Sequence, residues 1–284
     1  MAEVNIVYLG LLFGLIGTVQ VHLAKALERQ GIEIFSKEKS FKEKGKKPLI
    51  YIIGLALNNT IFIWQMLGTQ YSTASVYSSM FGLGLIILML YSYFVLKEEI
   101  SRRSALGTAL IILGTTLVGI IQILEPPTTE ILLFSNFIIL CVILFIFYFI
   151  LIIFFIRTKL GVSFIFGLVS GSMGAIDNVF KRIGLKAGFS EIFNLSTFPI
   201  FMLSFVIGLS ALIITQFGFA KGANASKLVP ISNSFYIITP IYFELIIILG
   251  ASISIFKILA IIIIIGGILL MDIYKKDTYI KDKG

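Results

Sequence analysis

The chain has 284 residues, of which 58% are hydrophobic and 13% are charged, and its mean hydropathy is +1.02. Soluble domains are about 45–50% apolar and about 25% charged, so this composition excludes an ordinary water-soluble enzyme and a disordered chain. Cys141 is the only cysteine and His22 the only histidine, which excludes a disulfide scaffold and a Cys/His zinc site. We expect an integral membrane protein, with most of its net charge of +8 in the loops.

Nine apolar runs, each long enough for a membrane-crossing helix, follow one another along the chain. A bilayer core about 30 Å thick needs roughly 20 residues of helix, and backbone groups in lipid must be satisfied within the segment. The runs lie near residues 4–27, 48–69, 73–96, 104–124, 131–156, 161–183, 197–219, 225–249 and 254–273. The first run is too long for a signal-peptide core and no basic residue precedes it, so we expect it to be retained. The predicted fold class is an all-α polytopic membrane protein with nine transmembrane helices.

The basic residues between the runs orient the chain in the membrane. With the N-terminus outside, nearly all of the 23 Lys and Arg residues fall on the inner side, and the exceptions are Lys181, Arg182, Lys186 and Lys257. Such an excess is typical of the cytoplasmic side. We therefore expect a multi-pass protein of the cell membrane with an outer N-terminus and a cytoplasmic C-terminus. The basic loop at 36–47 would contact anionic lipid head groups.

Two groups of four spans resemble each other in sequence. Three glycines of the first span match three of the sixth at a shift of 157 residues, and later pairs match at shifts of 151 and 153. The pairs are Gly10 with Gly167, Gly14 with Gly171, Gly17 with Gly174, Gln65 with Gln216, Ala74-Ser75 with Ala225-Ser226, and Ile100-Ser101 with Ile253-Ser254. The sequence therefore predicts an internal repeat of four helices.

The single span left between the two groups reverses the direction in which the second group enters the membrane. We divide the chain into a first four-helix repeat at 1–125, a linking transmembrane helix at 126–159, and a second, inverted repeat with a basic cytoplasmic tail at 160–284. Inverted repeats are typical of secondary transporters, whose site lies between the halves. Small residues four apart let helices pack closely in lipid, so the six paired glycines are candidate packing or hinge positions.

Polar side chains inside the spans mark a candidate substrate site, because ionisable groups in a membrane are costly and usually functional. Asp177 in the sixth span and Glu244 in the eighth are candidate metal ligands, since hydrated Mg²⁺ takes one or two carboxylates. The amides and hydroxyls that would complete the site are Asn58, Asn59, Gln65, Asn233 and Ser234. Alternatively, both acids reach the outer interface and pair with Lys181 or Arg182.

The eighth span also contains Pro240, which removes a backbone hydrogen bond and should bend or open the helix as a hinge. The matching third span has small residues in that place, namely Ser78, Ser79, Gly82 and Gly84. Interrupted helices at corresponding places of two halves point to a binding site. We therefore expect a cavity walled by the first, third, sixth and eighth spans.

The remaining polar residues suggest no chemistry. The chain has no phosphate-binding loop, nucleophile elbow or metal-hydrolase pattern, so we expect no enzymatic activity, no cofactor and no nucleic-acid partner. Glu98 and Glu99 follow the third span at its inner end. We expect them to be solvated or paired with Arg102 and Arg103.

Short stretches in both halves carry a family resemblance. They are Ala74-Ser75-Val76, Leu96-Lys97-Glu98, Leu113-Gly114-Thr115-Thr116 and Leu228-Val229-Pro230-Ile231. With the four-plus-one-plus-four plan and the Gly-rich first span, they resemble the drug/metabolite transporter superfamily, of the EamA-like kind. More narrowly, they are similar to the NIPA family of membrane magnesium transporters. The resemblance implies a nine-span carrier and, in the narrower family, magnesium as the substrate.

Three functions follow as alternatives. The first is a secondary transporter that moves a divalent cation such as Mg²⁺ by alternating access. The second is a proton-coupled exporter of a small organic metabolite or drug, in which Asp177 or Glu244 shuttles the proton. The third is a non-transporting membrane scaffold subunit. Direct contact between the third and eighth spans, with no aqueous pocket between the halves, would favour it.

Overall fold

The computed structural model describes residues 2–35, 45–72, 74–125, 134–158, 161–185, 198–247 and 253–271. Within these ranges the regular structure is helical, without a strand. The α-helices are α1 Ala2–Gly31, α2 Lys47–Tyr71, α3 Ala74–Ser79, α4 Phe81–Phe94, α5 Arg102–Leu124, α6 Phe134–Thr158, α7 Val162–Leu185, α8 Phe198–Ala220, α9 Ala225–Ile247 and α10 Ile255–Leu270. A short 3-10 helix, Ile32–Phe35, follows α1. Most of the basic loop predicted to contact lipid, and the C-terminal tail, lie outside the described residues.

Each predicted run coincides with helical structure, and the third run is divided at Met80 into α3 and α4. Among the described residues, six helices are long and apolar enough to cross a membrane. They are Tyr8–Gly31, Lys47–Tyr71, Val76–Phe94, Arg102–Leu124, Val162–Lys181 and Phe198–Ala220. Ile139–Ile153 and Ile255–Leu270 are shorter apolar helices. The all-helical prediction is confirmed, and the chain is a multi-pass membrane protein.

The distribution of polarity is the one expected in lipid. Gln65, Asp177 and Lys181 are buried within the bundle, whereas large apolar side chains such as Phe149 and Leu269 are about two-thirds exposed, at 66% and 65%. A water-soluble protein of this size rarely exposes such a continuous apolar surface. Lipid therefore covers the outside of the bundle, and polar groups meet one another inside it.

The two halves of the chain, 1–125 and 160–284, pack in similar ways. In the first half α1 packs against α2 and α4, and in the second half α7 packs against α8 and α9. Ser101 and Ser254 begin α5 and α10 alike, since each hydroxyl accepts a hydrogen bond from the backbone N–H three residues further on. These likenesses accord with the sequence repeat. The inverted orientation of the second half stays a prediction.

Glycines bring helix backbones together at several contacts. A Cβ atom at Gly14 would lie 2.7 Å from the carbonyl oxygen of Tyr77 in α3, and one at Gly167 would lie 2.8 Å from that of Leu228 in α9. The other paired glycines pack in the same regions, Gly10 and Gly17 against Ser72 and Tyr77, and Gly171 and Gly174 against Ser232 and Tyr236. Gly14, Gly167 and Gly171 thus lie against the backbone of a neighbouring helix, and the packing or hinge role of the six glycines stays a prediction.

Helix α9 runs through both of its prolines, Pro230 and Pro240, without interruption. The interruption occurs at Met80, in the matching span of the first half. The chain therefore does not open at Pro240, and the predicted hinge there stays a prediction.

Candidate functional site

A cavity of about 110 Å³ lies between helices of the two halves, and we name it the main cavity because seven helices line it. Its volume accommodates several water molecules. Helices α1, α2, α3, α4, α7, α8 and α9 contribute lining residues, so α2 and α8 wall it in addition to the spans that the sequence predicted. The polar lining residues are Lys25, Asn58, Gln65, Tyr77, Ser170, Asp177, Thr215, Ser232, Asn233 and Tyr236.

Three buried side chains at one end of the cavity form a closed hydrogen-bonded group, which we name the Asp177 cluster: Gln65, Asp177 and Lys181. The Lys181 ammonium donates to Asp177 Oδ2 over 2.6 Å and to Gln65 Oε1 over 2.7 Å. Gln65 Nε2 donates to Asp177 Oδ2 over 3.3 Å. Gln65 lies on α2 and the ion pair on α7, so the cluster joins the two halves.

The surroundings of the Asp177 cluster hold it in place. The Lys181 ammonium lies 5.1 Å from the centre of the Phe205 ring, within the range of a cation–π contact. A Cβ atom at Gly208 would lie 2.9 Å from Asp177 Oδ2, so α8 approaches the carboxylate closely because this residue is glycine. A second cavity, of about 120 Å³, reaches Asp177 and Lys181 from the side of Asn59 and Phe205.

A second buried carboxylate lies near the other end of the cavity, within the Glu28 cluster: Glu28, Asn58 and Gln216. Asn58 Nδ2 donates to Glu28 Oε1 over 2.8 Å, and Gln216 Nε2 donates to Glu28 Oε2 over 2.5 Å. Glu28 is completely buried. Because Glu28 lies on α1 and Gln216 on α8, this cluster also joins the two halves.

Several polar groups facing the cavity are available to a solute. In the described part of the structure the ammonium of Lys25, which lines the cavity, makes neither a hydrogen bond nor an ion pair with those residues. The buried Tyr77 hydroxyl and Asn233 Nδ2 likewise have no hydrogen-bond partner there. Unpaired buried donors are costly, and a bound solute or water would satisfy them.

The first four spans resemble a known protein family. Residues 6–120 match the EamA-like transporter family. The match runs from α1 into α5 and supports the drug/metabolite transporter superfamily, while the narrower resemblance to NIPA magnesium transporters stays a prediction. Neither a curated protein nor a solved structure matches the chain.

The structure brings together four of the seven predicted site residues. Asp177, Gln65, Asn58 and Asn233 line the main cavity. Asn59 lines only the second cavity and donates to the Leu55 carbonyl oxygen.

Ser234 does not line either cavity. The hydroxyl of Ser234 donates to the Pro230 carbonyl oxygen within α9. The side chain of Glu244 is outside the description. Within the described residues, no group of three or more His, Cys, Asp and Glu side chains is placed to hold a metal ion. Asp177 instead pairs with Lys181, as the alternative interpretation had it, but in the buried interior and not at an exposed interface.

Sequence reasoning placed Glu28 outside the first span and so missed it. The apolar run was expected to end at residue 27, whereas α1 continues to Gly31 and carries Glu28 into the bundle. Gln216 had one signal, its equivalence to Gln65 in the repeat, which could have directed attention to a buried partner in the first half.

Glu98 is also different from expectation, since it is neither solvated nor paired with Arg102 or Arg103. Its two carboxylate oxygens accept hydrogen bonds from the backbone N–H groups of Ala225 and Ser226, both at 2.8 Å. Arg29 Nε lies 3.7 Å from the same carboxylate. A carboxylate at a helix N-terminus satisfies free N–H groups and is attracted by the helix dipole. Glu98 therefore fastens the start of α9 to the first half.

Proposed function

We propose that the chain is a non-enzymatic secondary transporter that binds a small solute in the main cavity and moves it by alternating access. The observation that carries the proposal is a cavity lined by buried polar groups from both halves of a multi-pass membrane protein. Such groups are costly in a membrane and persist where they line a pathway or a site. The match to the EamA-like transporter family supports the same function.

The state of Asp177 favours an organic solute over a divalent cation. Its carboxylate is bonded to the Lys181 ammonium over 2.6 Å, so its charge is already compensated. The other oxygen, Oδ1, has no hydrogen-bond partner among the described residues, but it shares the carboxylate with an ammonium that repels a divalent cation. Asp177 is therefore a poor ligand for hydrated Mg²⁺, which is bound through one or two carboxylates. We therefore place the organic solute first and Mg²⁺ second, in contrast to the order that the sequence suggested.

The scaffold alternative receives less support. The rings of Phe81 in α4 and Tyr236 in α9 do stack, with centroids 4.6 Å apart, so the third and eighth spans touch. The cavity nevertheless lies beside this stack, and both rings form part of its lining. A scaffold was expected to show this contact without a cavity, whereas the structure has both the contact and a cavity.

Transport in proteoliposomes tests the proposal. The purified chain is reconstituted with a pH-sensitive dye inside, and a panel of amino acids, nucleosides and organic cations is applied, followed by Mg²⁺ with a fluorescent indicator. We expect at least one organic solute to move protons, and Asp177→Asn to reduce that flux at least tenfold.

The matched control is Glu99→Gln, which removes an exposed acid away from the cavity and should leave the flux unchanged. If the unmodified chain takes up Mg²⁺ and Asp177→Asn does not, Mg²⁺ and not an organic solute is the preferred substrate. Absence of both proton-coupled and Mg²⁺ flux, in a preparation that elutes as a single folded species, would contradict both a proton-coupled exporter and a magnesium transporter.

A further inference from the structure

Gln65 and Gln216 occupy equivalent positions in the sequence repeat, and each bonds to a carboxylate of the opposite half. Gln65, on α2 of the first half, donates to Asp177 on α7 of the second. Gln216, on α8 of the second half, donates to Glu28 on α1 of the first. The two amides are equivalent, whereas the two acids are not at equivalent positions. The same crossing contact is therefore made twice, once in each direction.

The two contacts lie at opposite ends of the main cavity. On α2, Asn58 of the Glu28 cluster and Gln65 of the Asp177 cluster are seven residues apart, which is about 10 Å at 1.5 Å rise per residue. On α8, Gly208 lies beside Asp177 and Gln216 bonds Glu28, a separation of about 12 Å by the same rise. The cavity is lined by residues of both clusters, so it extends between them.

We propose that the Gln65–Asp177 and Gln216–Glu28 contacts are the two gates of the transporter, and that one opens while the other holds. The inference rests on the proposed transport function. When one half rocks against the other, the contacts at one end of the interface separate and those at the other end are kept. A buried carboxylate that loses an amide donor must be solvated instead, so each contact breaks only when its own end of the cavity admits water.

The two gates are held unequally. Near the Glu28 cluster, Glu98 makes a further crossing contact, to the backbone of Ala225 and Ser226 at the start of α9. The shift of 153 that relates Ser101 to Ser254 places Ala251 where the first half has Glu98, so the second half has no carboxylate at the equivalent position. At the Asp177 end the described crossing bonds, to Asp177 and from Lys181, both involve Gln65, so this end depends on one side chain and opens more readily than the Glu28 end.

Cysteine accessibility in lipid nanodiscs tests the gates without any substrate. Cys141 is replaced by alanine, and a single reporter cysteine is placed on α8, either Ser204→Cys beside Asp177 or Thr215→Cys next to Gln216. Labelling by a water-soluble maleimide is then timed at each reporter. Both faces of a nanodisc are open to solvent, and label reaches each reporter by the shorter route through the gate beside it. The ratio of the two labelling rates therefore shows which end of the cavity is open.

Each gate is weakened by replacing its glutamine with leucine or, in a second variant, with methionine. Both side chains are close to glutamine in size and lack its amide. Gln216→Leu should raise the labelling rate of the Thr215→Cys reporter about tenfold, the scale of one lost hydrogen bond to a charged group, and should not raise that of Ser204→Cys. Gln65→Leu should do the reverse, with the larger change of the two.

The matched control is Gln20→Leu, because the Gln20 side chain bonds to Leu57, Thr60 and Trp64, all within the first half. It should change neither rate. Three results would overturn the two gates: one variant labels faster at both ends, a variant labels faster at the end opposite to its substitution, or a variant labels no faster than the control. The labelling experiment needs no solute. If the flux assay fails but the two variants raise labelling at opposite ends, the proposed substrate transport is rejected and the two gates are still supported.

Discussion

The Asp177 and Glu28 clusters contain the same kind of contact, but their carboxylates are stabilised by different means. Asp177 has its counter-ion on its own helix, four residues away, and the glutamine adds to an ion pair that already exists. Glu28 is held by two neutral amides from two other helices. The charge of Asp177 is therefore compensated within α7, whereas the stability of Glu28 depends on how α1, α2 and α8 pack together. This difference predicts that the two clusters respond differently to substitution.

The largest effect is expected from Lys181→Met, which leaves Asp177 buried without its counter-ion. Breaking a buried ion pair from one side destabilises a protein by about 3–5 kcal/mol. Unfolding of the purified protein in mixed micelles measures the loss. The double variant Asp177→Asn with Lys181→Met should recover most of it, and a double variant as unstable as the single would contradict the role of the ion pair.

The next effect concerns Asn58→Leu in the Glu28 cluster. One oxygen of Glu28 loses its amide donor, and a hydrogen bond to a charged group contributes about 1.5–3 kcal/mol. The neighbouring variant Asn59→Leu removes only an exposed side chain bonded within its own helix, and we expect no comparable loss. Equal losses in the two variants would show that Glu28 does not depend on Asn58.

A smaller effect is expected from Glu98→Gln, which weakens the cap at the start of α9. Loss of a good N-cap interaction destabilises by about 0.5–2 kcal/mol, and the amide retains one acceptor oxygen, so the lower half of that range applies. Glu99→Gln, at the exposed neighbouring position, is the control. Thermal unfolding followed by circular dichroism compares the two, and a cap of no importance would give them the same midpoint.

The smallest effect is expected from Lys25→Met. Unlike Lys181, the ammonium of Lys25 has no bonded partner among the described residues and attracts Glu28 only without a direct bond. Its loss should therefore change the free energy of unfolding less than any of the three substitutions above. If Lys25 binds solute, the flux in proteoliposomes should still fall. A destabilisation as large as that of Lys181→Met would show that the two lysines do not differ in the way their contacts indicate.

Hydrophobic patterning was sufficient to predict the helices, because a run of about 20 apolar residues in lipid has few other options. Asp177, Gln65, Asn58 and Asn233 could be predicted as cavity residues because polar groups within apolar runs avoid lipid and turn inward. The hydrogen-bond and ion-pair partners of these residues could not be predicted. Whether Asp177 meets a metal ion or Lys181 depends on which side chain the tertiary packing leaves nearest.

The residues that sequence reasoning missed lie where the apolar pattern ends. Glu28 follows the last apolar residues of the first run, and helix ends are uncertain by a turn in any reading of hydropathy. The capping role of Glu98 depends on the start of α9, more than a hundred residues away along the chain, so no local pattern could reveal it. The break at Met80, by contrast, lies among the small residues Ser78, Ser79, Gly82 and Gly84 that the sequence marked as an interruption of the third span.

Helices α5 and α10 meet through a reciprocal contact between two glycines. A Cβ atom at Gly107 would lie 2.5 Å from the carbonyl oxygen of Gly267, and one at Gly267 would lie 2.6 Å from that of Gly107. Neither helix supplies a lining residue to the two cavities. A side chain gained at either position would push the two backbones apart, so related chains should keep both glycines, and this seam ties the two halves together away from the cavities.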